Sequence, residues 1–103
     1  MTYWDVKSAA AADESIKMLT HLILNNFKVM DKDNEQIKQV WGEYNRFKND
    51  LLVNEDGIIY YKERFVLPTA LREWGLQILH IGHQGVYGMN LFAEKNFFLA
   101  KYY

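Results

Sequence analysis

The chain has 103 residues, half of them hydrophobic, and its 12 Lys and Arg nearly balance its 13 Asp and Glu. This length suits one domain with a modest core, and the absence of cysteine excludes disulfides and thiol nucleophiles. No apolar run approaches the roughly 20 residues that a membrane-spanning helix needs. We therefore expect an intracellular protein with no membrane partner.

Charge is unevenly distributed, with ten acidic against seven basic residues in 1–56 and three against five in 57–103. Nucleic-acid-binding domains usually carry a clustered basic face, because phosphate neutralisation supplies much of their affinity. The sequence shows no such cluster. Any nucleic-acid binding by this chain is therefore expected to be weak.

Two short helices are predicted at the start of the chain. Thr2 can cap the first, with Asp5 three positions later, and Asp13 can cap the second. Apolar residues at helical spacing extend the second helix over 14–26. His21 lies within it without a partner at ligand spacing, so we interpret it as an ordinary histidine at the surface or at the edge of the core.

A third helix is predicted over 35–47, after a charged connector and a candidate cap at Asn34. Its apolar stripe is strongly aromatic and consists of Ile37, Val40, Trp41, Tyr44 and Phe47. Such a stripe could stack on bases, but stacking surfaces normally carry interleaved basic residues, whereas Glu43 and Asp50 flank this one. A packed core is the favoured interpretation.

From residue 51 the spacing of the apolar residues changes from the helical period to that of β-strands. Segments 51–53, 58–61 and 64–67 are separated by turns, one of them with the Asp-Gly turn signal. Pro68 ends the third strand, and Thr69 can cap a helix that continues to His80. Gly75 inside that helix costs roughly 1 kcal/mol against Ala, so close packing is expected there.

Gly82 and Gly85 are expected to end this helix, and a further short helix and an apolar tail are expected after them. The predicted fold class is α+β, with N-terminal helices, a three-stranded antiparallel meander and short C-terminal helices. We divide the chain into a helical linker region, 1–50, and a partial zinc-binding-like domain, 51–103.

The pair His80 and His83 carries the functional interpretation. Two imidazoles three residues apart at a helix end are a common arrangement for holding zinc, but a structural zinc site takes four nitrogen or sulfur ligands. The pair supplies two of the four. The alternative is that both histidines lie at a helix C-terminus, where imidazolium interacts favourably with the helix dipole.

The ordered segments resemble the region between ribonuclease H and the integrase core in gypsy-type LTR retrotransposon polyproteins. The resemblance covers nearly the whole chain. The matching pieces are Ala11-Ala12-Asp13, Leu24-Asn25-Asn26-Phe27, Asn49-Asp50-Leu51, Asp56-Gly57-Ile58-Ile59-Tyr60, Arg64-Phe65-Val66-Leu67-Pro68, Ala70-Leu71-Arg72, and Leu79 to Val86.

In that family two histidines are the first half of a His-His-Cys-Cys zinc domain, and the resemblance assigns this role to His80 and His83. The chain keeps the family's Met89 and Ala93 but has Glu94 in place of Arg and Leu99-Ala100 in place of Trp-Pro. The cysteine pair would lie beyond the last residue. The resemblance therefore implies a relict, incomplete zinc site.

The resemblance implies a truncated integrase zinc-binding-domain-like protein, with an ancestral role in nucleic-acid binding and DNA integration and a nuclear site of action. We predict no enzyme, because nucleotidyl transfer needs clustered carboxylates to hold two metal ions and the Asp and Glu here are scattered. The alternative is a non-catalytic protein-interaction or self-association module. Its predicted contact surface is an apolar end that the core leaves uncovered: Phe97, Phe98, Leu99, Tyr102 and Tyr103.

Overall fold

A computed structural model describes residues 2–28, 33–83 and 97–100, and for residues 79–83 it describes the backbone alone. In these ranges three helices precede a small sheet, and a fourth helix separates its third strand from its fourth. The predicted α+β class is confirmed. The connector at 29–32, the helix predicted after Gly85 and residues 101–103 lie outside the described residues.

Two capped helices form the start of the chain, as predicted. Helix α1, Tyr3–Ala11, has a capping box in which Thr2 and Asp5 each accept a hydrogen bond from the other's backbone N–H. Helix α2, Glu14–Leu24, is capped by Asp13, whose carboxylate accepts from two backbone amides of the first turn. His21 is exposed on α2, as expected.

Helix α3, Glu35–Tyr44, begins at Asn34 as predicted but is shorter than the predicted 35–47. The chain tightens after it into a 3-10 helix, Asn45–Asp50, that leads directly into the sheet. The aromatic stripe lies in the core, with Tyr44 and Phe47 buried. The packing interpretation of the stripe is thereby confirmed.

Three strands form the predicted antiparallel meander: β1, Leu51–Val53, β2, Ile59–Tyr61, and β3, Arg64–Val66. Their register pairs Leu52 with Tyr60 and Tyr60 with Phe65. Because side chains alternate across a strand, these three residues share one face of the sheet. We call it the outer face.

The prediction missed a fourth strand, β4, Phe97–Phe98, which pairs in parallel with β3. The apolar end predicted from these residues is wrong where the structure describes it, since Phe97, Phe98 and Leu99 are only 3%, 1% and 8% exposed. Tyr102 and Tyr103 lie outside the described residues. The tail completes the sheet because its aromatic side chains find apolar partners on both faces.

The inner face of the sheet packs on α2, α3 and the 3-10 helix in one apolar cluster. Phe98 lies at its centre, with its ring 4.3 Å from that of Tyr61 and 4.9 Å from that of Phe47. The cluster joins residues from both sides of position 50, including Leu19 and Val66. The division of the chain at residue 50 stays a prediction.

On the outer face lies helix α4, Thr69–His83, which forms a smaller cluster with β3 and β4. This helix continues through Gly82, so the prediction that Gly82 helps to end it is wrong, while Gly85 lies outside the described residues. Among the described residues no helix has the length and apolar character to cross a membrane.

Candidate functional site

Positions 80 and 83 lie in the last turn of α4, three residues apart. The helix is held close to the sheet at Gly75, where a Cβ atom would approach Leu67 Cδ1 to 2.6 Å and Phe97 Cε2 to 3.2 Å. The close packing predicted at this glycine is confirmed. The side chains of His80 and His83 lie outside the described part of the structure, so their role as metal ligands stays a prediction.

Zinc sites in proteins are built from nitrogen, sulfur and carboxylate oxygen ligands. These residues contain no group of three or more His, Cys, Asp or Glu arranged to hold a metal ion. Two imidazoles supply half of a tetrahedral shell, and no cysteine exists in the chain to complete it. The pair therefore needs two further ligands of another kind, and the described residues do not identify them.

A second candidate surface lies on the outer face beyond the edge of α4. Trp4, Tyr3, Phe65, Tyr60 and Leu52 form what we call the outer-face row. Consecutive rings are 5.5 Å apart for the Trp4–Tyr3 pair, 6.5 Å for Tyr3–Phe65 and 5.2 Å for Phe65–Tyr60. Trp4 and Leu52, at the two ends of the row, are 66% and 65% exposed.

Charged groups border the row at its Trp4 end, beside Tyr3. The Tyr3 hydroxyl donates a hydrogen bond to Asp56, and Lys7 forms an ion pair with the same carboxylate at 3.3 Å while lying 5.2 Å from the Trp4 ring centroid. The hydrogen bond from Tyr3, and then the Lys7 ammonium, lower the pKa of Asp56, and the same bond raises the pKa of Tyr3. The network fixes α1 against the turn between β1 and β2.

A partly buried polar cluster ties α4 to α3. Arg72 Nη2 donates to the Tyr44 hydroxyl at 3.1 Å and lies 3.4 Å from the Glu43 carboxylate. Burial raises the pKa of Tyr44 to about 12, so this hydroxyl stays protonated at neutral pH. The cluster orients α4 against α3.

The outer-face row was not found by sequence reasoning, since Tyr3 and Asp56 are 53 residues apart. A partial signal was present: alternation along β1 and β2 places Leu52 and Tyr60 on the face opposite Leu51 and Tyr61. The contact with α1 had no local signal.

Comparisons with known proteins identify no relative. No family model, curated protein or solved structure matches the chain.

Proposed function

We propose that this chain is a non-catalytic module of the integrase zinc-binding type, with an ancestral role in nucleic-acid binding during DNA integration in the nucleus. The supporting observation is the order of the elements. The meander leads through Pro68 directly into α4, which carries positions 80 and 83 in its last turn. The sequence segments that resemble the retroelement region follow the same order.

Zinc titration of the purified chain tests the histidine pair. A site with two protein ligands leaves at least two positions to water or another chain, so we expect weak zinc binding. The variant with both His80→Ala and His83→Ala should lose it. His21→Ala is the matched control, because His21 is exposed on α2 and far along the chain from the pair.

Zinc binding that survives the double substitution would contradict the assignment of the pair. Saturation at one zinc per chain with micromolar or better affinity would show a complete site, and the inference of a relict one would then be wrong.

Duplex DNA binding tests the ancestral role. At physiological salt we expect a dissociation constant on the order of 10⁻⁴ M, the weak end of non-specific binding, because the chain lacks a basic cluster, and we expect tighter binding at low salt. Fluorescence anisotropy of labelled DNA at two salt concentrations measures it. No change in anisotropy at low salt would contradict a nucleic-acid role.

The outer-face row favours a second function, binding of a protein segment. Trp4 and Leu52 are exposed at the ends of the row, the three rings between them are half-buried, and exposed apolar patches mark contact surfaces. At the Trp4 end of the row, Asp5 and Asp56 lie near Lys7, so this end suits an apolar partner segment with basic residues better than it suits phosphates.

Peptides of alternating leucine with lysine, or leucine with glutamate, test this second function. We expect the basic peptide to bind and the acidic one not to bind. Trp4→Ser with Leu52→Ser should abolish binding, whereas Leu24→Ser, an equally exposed leucine on α2, should not. Equal binding of both peptides, or a dimer in light scattering that closes the surface, would rule it out.

A further inference from the structure

A concavity of about 440 Å³ lies between the end of α2 and the start of β1. Its apolar lining comes from Ile23, Phe27 and Leu51, with the exposed Leu52 beside them. The volume falls within the range of small-molecule sites, roughly 300–1,000 Å³. It is separate from α4 and from the histidine pair.

The polar lining carries one cation and two amides: Lys48, Asn26 and Asn49. Among the described residues, Lys48 belongs to none of the ion pairs, whereas Lys7, Lys17 and Lys38 each lie beside a carboxylate. An ammonium that makes no ion pair within the described residues, beside two side-chain amides, offers a place for an anionic group.

The backbone at this concavity is strained. Helix α2 ends in a Schellman motif, in which Phe27 N donates to Leu22 O at 2.8 Å and Asn26 N donates to Ile23 O at 3.1 Å. Asn26, with φ 54°, takes the left-handed position that this motif needs. Phe27 also has a positive φ, 59°, which the motif does not require and which is unusual for a bulky residue.

Surrounding structure holds Phe27 in this conformation. Its side chain is 7% exposed, and its carbonyl accepts a hydrogen bond from Trp41 Nε1 at 3.4 Å. Backbone conformations of this kind concentrate at ligand clamps and active sites. Here the conformation places the Phe27 ring in the wall of the concavity.

We propose that this concavity binds a small monocarboxylate with an apolar chain, of the medium-chain fatty acid class. The carboxylate lies at the Lys48 ammonium and the neighbouring amides, and the chain lies against Ile23, Phe27 and Leu51. The apolar wall excludes strongly polar anions such as inorganic phosphate as good ligands. The single cation excludes polyanions.

Titration with sodium octanoate, below its micelle concentration and followed by calorimetry and amide chemical shifts, tests the proposal. Lys48→Gln should weaken binding about tenfold, since a hydrogen bond to a charged group is lost. Lys17→Gln, on the exposed side of α2, should leave the affinity unchanged. Leu52→Gln should weaken binding severalfold, whereas Leu24→Gln, equally exposed but outside the concavity, should not.

Three further ligands separate the proposal from its alternatives. If octyltrimethylammonium, which carries a positive charge, bound with the same affinity as octanoate, the role of Lys48 would be overturned. Octanoate affinity that neither Lys48→Gln nor Leu52→Gln reduces would place the site elsewhere. The third comparison uses a short peptide that ends in leucine with a free C-terminal carboxylate, and the same peptide with a C-terminal amide as its control. If the free acid binds while octanoate and the amide do not, the concavity binds a chain terminus and the small-molecule assignment is overturned.

Discussion

The two faces of the sheet are covered to different extents. On the inner face, Leu51, Tyr61 and Phe98 pack beneath α2, α3 and the 3-10 helix and are almost fully buried. On the outer face, α4 covers β3 and β4, but Leu52 of β1 stays 65% exposed. The inner face therefore carries most of the apolar burial that stabilises the fold, whereas the outer face leaves surface for contacts.

The largest expected effect is on the inner face. Phe98→Ala removes a 1% exposed ring between Tyr61 and Phe47 and should lower the free energy of unfolding by about 3–5 kcal/mol. Leu52→Ala on the outer face is the control and should change it by less than about 0.5 kcal/mol. Urea denaturation measures both. Similar losses of stability in the two variants would contradict the conclusion that the inner face carries most of the stabilising burial.

The contact of α4 with the outer face is tested at Gly75. Gly75→Ala adds a methyl group 2.6 Å from a terminal carbon of Leu67, a residue only 1% exposed. The crowding should lower the free energy of unfolding by about 1–3 kcal/mol, whereas the better helix propensity of alanine should raise it by roughly 1 kcal/mol. We therefore expect a net loss of stability.

Gly42→Ala in α3 is the matched control for this substitution. A Cβ at Gly42 meets nothing within 4 Å, so this variant should gain stability by roughly 0.5–1 kcal/mol. The two variants should shift the thermal midpoint in opposite directions. A stabilised Gly75→Ala variant would mean that α4 does not lie tightly on the sheet.

The link between the two faces at Asp13 should have a smaller effect. Its carboxylate caps α2 and also accepts a hydrogen bond from the Thr69 amide at the start of α4. Asp13→Ala should cost about 1–2 kcal/mol, the upper part of the range for caps. Asn34→Ala removes a cap that, within the described part of the chain, accepts only from amides of its own helix, and it should cost less in the same denaturation experiment. Equal losses would argue against the link.

The smallest effect concerns pH at the border of the outer-face row. Because the folded-state pKa of Asp56 is depressed by Tyr3 and then by Lys7, its contribution to stability is present above the unfolded pKa, about 4, and is lost as pH falls through the folded value. Tyr3→Phe should raise the pKa of Asp56 and reduce the fall in the free energy of unfolding as the pH is lowered. Carboxyl chemical shifts measure the change, with Tyr60→Phe as control.

Local patterns predicted much of the fold. The caps at Thr2, Asp13 and Asn34 are confirmed. A capping side-chain oxygen accepts hydrogen bonds from backbone N–H groups of the first helical turn, so the interaction depends only on neighbouring residues. The Asp-Gly turn set the meander for the same local reason. The close packing at Gly75 was predicted because a mid-helix glycine is costly unless another group needs its space.

Features that depend on distant partners were missed. The pairing of Phe97 and Phe98 with β3 joins segments some thirty residues apart, and a short apolar run carries no signal for its partner. For the candidate sites, the sequence supplied the His80–His83 spacing and its interpretation. The outer-face row joins side chains of α1 and of all three strands of the meander, and the concavity beside Lys48 joins segments 23–27 and 48–52.

The sequence by itself determined the helices, their caps, the meander and the absence of cysteine, because each depends on neighbouring residues or on composition. Only the tertiary structure decided that the aromatic tail is buried in the sheet, that one sheet face stays partly open, and that a strained Phe27 lines a concavity. These outcomes depend on which surfaces meet when the chain compacts, and local propensity does not specify those contacts.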